Sequence, residues 1–391
     1  MTNGPKVVWI LGAGFSKPLG GPLLGQLLTP GSFQDIRARY GKEHALVSPA
    51  AQFACHVYHY GRAYEEGCLV ERKLPGERLW ADAEEFLDML DAAAESKGSL
   101  ARPTIERILL AVCTHYRGSL PPGSSDVGQM RDAARRLLAA ECSDFANRAS
   151  LGVDHDASVV PERWSAHVDW MKQLNSRHTI VTFNYDRALE RMGRHLRKEP
   201  QPDDGPLVML PGAVSDEKKI AQQVRLLKLH GSVDWRRTLD GISRVRDDFA
   251  LEGPCEELVI ATPGPTKSKV TEALEPLWVT AEAEIKAADV VAFVGYRFPP
   301  TDATARRRIL GAIEKRALNR DRALLLHVVL GPQSPDTPRL VELLRFAAQH
   351  GELKREDARI GEIENGCFRI RTHQLNSQDF FTVYREAILM R

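Results

Sequence analysis

Apolar residues in this chain gather in short, nearly continuous runs. The first is Lys6 to Leu11, "KVVWIL", rich in β-branched residues. It predicts a buried strand. The same pattern returns from His178 onward, in "HTIVTFNYD", "VRLLKLHGSVDW", "ELVIATPGPTK", "DVVAFVGYRFPPTD" and "ALLLHVVLG". Helical stretches follow two of these runs, at Thr271 to Ala288 and near Thr304 to Arg320. Such alternation predicts an α/β fold whose largely parallel sheet is covered on both faces. The polar residues of each run sit at or beyond its C-terminal end. Open α/β sheets bind ligands there.

Between about residues 34 and 175 the period changes. "ADAEEFLDMLDAAAES" (Ala81 to Ser96) puts Phe86, Leu87, Leu90 and Ala94 on one helical side. "RPTIERILLAVCTHYRG" and "MRDAARRLLAAECSDFANRAS" predict two further helices, with "LPPGSSDVG" between them. This stretch reads as a large helical insertion, or a lid. The tail, residues 332–391, predicts a helix in "RLVELLRFAAQHG", a strand in "CFRIRT" and a final helix in "SQDFFTVYREAILM". It either finishes the domain or forms an assembly element.

Composition narrows the classes. The chain has 391 residues, 43% of them hydrophobic, which is enough for a substantial core and argues against wholesale disorder. Its 53 Lys and Arg against 52 Asp and Glu exclude a broadly basic nucleic-acid binder. The basic stretch "RRRILGAIEKRALNRDR" reads as a solvated helix face, with direct nucleic-acid contact left open. Six cysteines occur, and no two form a C-x-x-C pair. That spacing gives no zinc module and predicts reduced, mostly buried thiols in a cytoplasmic chain. No secretory signal or bilayer-spanning run is present, so no membrane partner is expected.

The candidate chemistry begins in the turn after the first strand, "GAGFSKPLGGP". Gly12 and Gly14 supply two positions of a G-x-G-x-x-G fingerprint, but Lys17 takes the third. The turn reads either as tight packing or as an anion cradle. In the second reading, Gly12 and Gly14 expose backbone N–H groups at a helix start, and Ser16 adds a hydroxyl.

Four segments together resemble the sirtuin family. They are Gly12-Ala13-Gly14-Phe15-Ser16 with Gly20-Gly21-Pro22, then Asn184-Tyr185-Asp186, then Leu229-His230-Gly231, then "VVAFVGYRFPPTD". Leu24-Gly25 stand where sirtuins carry a phenylalanine-arginine pair. The closer resemblance is to bacterial sirtuin-like proteins of anti-phage defence, whose domain degrades NAD. It covers residues 5 to 331, and the four-cysteine zinc module of deacylating sirtuins is missing. The resemblance implies a Rossmann-like, sirtuin-type catalytic domain over residues 1–331, interrupted by the helical insertion at 34–175.

It also implies an NAD+ glycohydrolase releasing nicotinamide and ADP-ribose, with NAD+ as substrate and no metal. Protein deacylation, ADP-ribosyl transfer, cyclisation of the product, and non-catalytic nucleotide sensing stay open. His230 would contact ribose hydroxyls; its reference pKa of about 6.5 suits proton transfer. Asn184 would hold water below the nicotinamide ribose, or else stabilise its turn. Asp186 would bind the nicotinamide carboxamide, or cap the helix "RALERMGRHL". Ala13, Phe15, Ser16 and Pro22 would line the cofactor, with Phe15 equally readable as core. Gly295, Arg297 and Asp302 would shape the adenosine side; Arg297 is also readable as a surface ion pair and Asp302 as a helix cap. His327, inside an apolar strand, reads as structural. A freely active NADase would harm its host, so the resemblance implies control by homo-oligomerisation or by a HerA-like ATPase/helicase partner.

Overall fold

A computed structural model describes residues 4–63, 80, 82–95, 127–148, 162–194, 206–212, 222–245, 249–261, 267–299, 301–319, 322–349, 362–365 and 368–384. In chain order the main elements begin with strand β1 (Val7–Leu11) and helices α1 (Ala13–Ser16), α2 (Pro30–Tyr40), α3 (Pro49–Ala63), α4 (Ala83–Glu95), α5 (Val127–Arg148) and α6 (Ser165–Lys172). Then come β2 (His178–Thr182), α7 (Ala188–Arg194), β3 (Leu207–Val208), β4 (Arg225–Lys228), β5 (Gly231–Thr238), β6 (Gly241–Arg244) and β7 (Leu258–Ile260). The chain continues through α8 (Lys267–Lys286), β8 (Val290–Val294), α9 (Ala303–Ala317), β9 (Leu324–Val329) and α10 (Asp336–Ala348). It ends in β10 (Glu362–Asn365), β11 (Phe368–His373) and α11 (Ser377–Val383). The expected helix in "RPTIERILLAVCTHYRG" lies outside the described residues.

The fold is mixed α/β, with a mostly parallel sheet flanked by helices in a generic Rossmann-like arrangement. Eight strands run in the order β10-β11-β9-β8-β1-β2-β4-β3. Seven are mutually parallel, and β10 closes one edge antiparallel to β11. β1 is the pivot. The chain first builds β2, β4 and β3 on one side of it, then returns to lay β8 against its other side. That reversal makes a topological switch point between β1 and β8. β1, β2 and β8 are wholly buried; β1 and β8 are continuously apolar, while β2 also buries His178, Thr179 and Thr182.

Two expected strands behave differently. "VRLLKLHGSVDW" breaks at Leu229-His230, so β4 stays in the parallel sheet while β5 leaves it. "ELVIATPGPTK" supplies β7, which joins β5 and β6 in a separate three-stranded sheet. β5 and β6 pair antiparallel as a hairpin, with Gly231 at φ +79° at its start. The apolar run of β7 is only three residues long, and such runs do not declare their sheet.

The chain divides into two compact units. One holds residues 1–21, 146–232 and 273–391, and with them the parallel sheet; the other holds residues 22–145 and 233–272. The helical stretch therefore divides: residues 146–175, with α6, belong to the sheet unit. In the second unit, Thr29 caps α2 by accepting the Ser32 amide at 3.0 Å, with Pro30 in the first turn. The α4 stripe buries Ala83, Phe86, Leu87 and Leu90 completely, while Ala94 is half-buried. Phe86 packs on Trp80, whose indole donates to the Tyr58 carbonyl at 2.7 Å. Gly61 leaves room for that indole, since a Cβ there would stand 2.1 Å from it.

The C-terminal residues complete the sheet unit. β11 extends the parallel ladder beside β9, and α11 packs on α6. Between α6, α11 and β1 lies an aromatic core. Trp170 and Phe381 stack at 4.5 Å, and Trp9 meets Trp170 edge-on at 5.2 Å. Phe15 joins them, and so does His167.

His167 is buried, and its Nε2 lies 3.2 Å from both the Phe15 carbonyl and the Ser377 hydroxyl. Burial pushes its pKa down to about 4, with the Phe15 carbonyl pulling the other way. His178 and His373 are depressed to about 4 for the same first reason. The unfolded chain takes up these protons below its ordinary pKa of about 6.5, the folded chain only near 4. Stability is therefore present above that window and is lost as pH falls through it. Urea unfolding near neutrality and near pH 4 should show this loss, and His167→Gln should reduce it by about 3 kcal/mol. An unchanged slope in the variant would assign the acid sensitivity elsewhere.

Candidate functional site

The loops leaving β1 and β8 meet through glycine. A Cβ on Gly12 would stand 2.6 Å from the Gly295 carbonyl oxygen, and one on Gly14 would stand 2.7 Å from the Gly295 Cα. Gly295 itself has φ +67°, and a Cβ there would lie 2.3 Å from the Phe15 nitrogen. These glycines are required by the mutual approach of two backbones. Their amides are engaged in the same contact. Gly12 N–H donates to the Val294 carbonyl at 3.1 Å, and Gly14 N–H to the Gly295 carbonyl at 3.2 Å. The expectation that both expose N–H groups to an anion therefore gives way to a packing role. The helix after them, α1, is four residues long, too short for a strong macrodipole.

Beside this turn, the tetrapeptide Phe183-Asn184-Tyr185-Asp186 leaves β2 with its side chains alternating. Asn184 and Asp186 engage Ser16. Asn184 Nδ2 donates to the Gly12 carbonyl at 3.1 Å and lies 3.2 Å from Ser16 Oγ, while its own amide donates to Thr182 Oγ1 at 3.1 Å. Both amide hydrogens of Asn184 are thereby directed inward, leaving Oδ1 as its acceptor. Asp186 Oδ1 accepts the Ala188 amide at 2.9 Å, so it does organise the start of α7.

Phe183 and Tyr185 face the other way, toward His230. The Phe183 ring meets the imidazole edge-on at 5.0 Å, and the Tyr185 ring lies nearly parallel at 6.1 Å. Phe183 also stacks on Tyr296 at 4.0 Å. His230 is 3% exposed, and its Nε2 stands 3.2 Å from Asp302 Oδ2. The two atoms lie off the hydrogen-bonding line, and neither imidazole nitrogen has an aligned partner among the described residues. Asp302, also buried, accepts the Tyr296 hydroxyl at 2.9 Å and caps α9 through the Ala305 amide at 3.2 Å.

Below the tetrapeptide lies a fully buried cation that the pattern of the chain did not single out. Lys228 Nζ donates to the Asp186 carbonyl and pairs with Glu190 at 3.0 Å. A lysine inside the run "RLLKLH" was the available signal, because a buried ammonium needs a partner. His167 and Ser377 were equally missed. Ser377 Oγ donates toward the Gly14 and Phe15 carbonyls at 3.3 and 3.0 Å, tying α11 to the glycine turn. No local pattern could join residues so distant in sequence.

The other expected contacts fall as follows. Phe15 is 1% exposed and belongs to the aromatic core. Arg297 reaches Asp336 at 2.6 Å in a half-exposed ion pair. Ala13 accepts the Lys17 amide and the Ser16 hydroxyl through its carbonyl. Pro22 opens the second unit. His327 is buried and pairs with His373 at 2.9 Å. No cluster of three or more His, Cys, Asp or Glu suited to a metal ion occurs among the described residues.

Neither a model of a known protein family nor a curated protein matches the chain.

Burial raises the Asp186 pKa to about 6, Lys228 pulling it down and Glu190 pushing it up. The folded protein thus holds a proton that the unfolded carboxyl releases near 3.8. This contribution is present below that pH and lost as pH rises through 6. Asp186→Asn keeps an acceptor for Ala188 without the buried charge. It should be more stable than the parent above pH 6 by roughly 2–3 kcal/mol and equal to it near pH 4. Equal stability at both pH values would contradict the burial argument. Gly295→Ala should destabilise the fold by about 3 kcal/mol or more, read from urea midpoints, because neither backbone can withdraw.

Proposed function

We propose that the chain binds NAD+ at the C-terminal edge of its parallel sheet and hydrolyses the bond between nicotinamide and ribose. The observation that carries this reading is His230. It is buried, without a hydrogen-bond partner at Nδ1 among the described residues, and flanked by rings of the same tetrapeptide that carries Asn184. Such a group at the C-terminal edge of a parallel sheet suits a ligand rather than a core. The fold alone would not choose the chemistry. The choice rests on these side chains together with the sirtuin-like motifs.

Each residue then has a defined task. His230 Nδ1 accepts a ribose hydroxyl proton in a hydrogen bond. Asn184 Oδ1 accepts a hydrogen bond from the attacking water, while its amide group anchors to Gly12 and Ser16. Asp186, its pKa raised to about 6, is mostly ionised at neutral pH and can accept a hydrogen bond from a carboxamide. Phe183, Tyr185 and Tyr296 keep bulk water from the imidazole. Nicotinamide leaves as a neutral molecule from a cationic ring, so the demand on the protein is mainly placement and electrostatic support. The defence setting, cytoplasmic location and HerA-like partner are supported by the resemblance of motifs.

Mass-resolved turnover of NAD+ tests this, using the purified chain alone and mixed with the protein encoded beside it. Nicotinamide and ADP-ribose should accumulate. His230→Ala and Asn184→Ala should each lower turnover by about 10²-fold or more. Intact NAD+ in every mixture, despite measured binding, would overturn hydrolysis. Full activity of either variant would move the site.

A further inference from the structure

The pairing of His230 with Asp302 joins residues 72 positions apart, and nothing in the sequence motifs links them. Asp302 is held from several directions. It caps α9, accepts the Tyr296 hydroxyl, and its amide donates to the Pro299 carbonyl at 3.0 Å. The loop that delivers it is strained. Gly295 has φ +67° and Phe298 has φ +54°, the latter unusual for a bulky residue. Arg339 staples this loop by donating to the Arg297 and Phe298 carbonyls at 3.3 and 2.9 Å. Strain retained around a buried carboxylate indicates that its position matters. The carboxylate Oδ2 stands 3.2 Å from the Nε2 nitrogen of the imidazole.

We propose that Asp302 is a positioning residue. Its carboxylate keeps the His230 proton on Nε2, so that Nδ1 presents a lone pair toward the ligand. The logic is electrostatic. A carboxylate 3.2 Å from a ring nitrogen favours the tautomer carrying hydrogen there. The misalignment in the free protein fits a contact that tightens when ligand arrives, as such hydrogen bonds commonly do. The rings of Phe183, Tyr185 and Tyr296 hold the imidazole and the carboxylate in register. The task assigned to Nδ1 rests on the proposed NAD+ chemistry. The tautomer does not.

The test therefore reads the tautomer first, without ligand. Full-length chain labelled with ¹⁵N-histidine is studied by two-bond ¹H–¹⁵N correlation at mildly alkaline pH, with His230→Gln identifying the signal. The parent should show His230 as the Nε2–H tautomer. Asp302→Asn, which retains helix-capping ability, should convert it to a mixture or to the other tautomer. An Nδ1–H tautomer in the parent, or unchanged shifts in a folded Asp302→Asn, would overturn the proposal. NAD+ turnover is read separately. Asp302→Asn should lower kcat on the order of a hundredfold with little change in KM; a change confined to KM would overturn it. A chain with the expected tautomers that leaves NAD+ intact would support the pairing while removing the hydrolytic reading.

Discussion

The structure depends on one steric constraint: two backbones pass each other at the switch point with no room for a Cβ. Gly12 and Gly14 leave β1, Gly295 leaves β8, and each would collide with the other's main chain if it carried a side chain. Their amides close the contact, tying the two strand ends together. The α11 segment reinforces it through Ser377, and α6 through His167. The glycine turn is thus a junction that brings the ends of β1, β2, β4 and β8 into one neighbourhood.

The chemistry is hung on that junction by alternation. A peptide in extended conformation presents successive side chains to opposite faces. After β2 this places Asn184 and Asp186 toward Ser16 and the glycine turn, and Phe183 and Tyr185 toward His230. The side chains of Asn184 and Asp186 make hydrogen bonds on one face, and those of Phe183 and Tyr185 make ring contacts on the other. The buried Lys228–Glu190 pair lies under the same peptide and grips the Asp186 carbonyl. Such a pair adds little net stability, but losing one partner costs about 3–5 kcal/mol. It therefore works as a register pin for the segment carrying Asn184 and Asp186.

Much of this was legible in the chain. The runs at Val7, His178, Val290 and Leu324 are continuous because both faces of those strands are buried, and that property is local. The break after Lys228 is marked by His-Gly, and Gly231 does adopt a left-handed conformation. The assignment of "ELVIAT" to the small sheet was not legible, since a three-residue apolar run satisfies either sheet. Nor was the fate of Phe15, whose neighbours Trp170 and Phe381 come from distant helices.

By itself, then, the sequence determined the element types, the parallel sheet and the polar residues at its C-terminal edge, because periodicity and composition are properties of neighbouring positions. Tertiary structure alone decided what those polar residues do. It joined His230 to Asp302, put Asn184 between Gly12 and Ser16, paired Arg297 with Asp336, and made the glycines a contact between two backbone segments. Each of those outcomes depends on distances between residues far apart in the chain, and no local pattern encodes such distances.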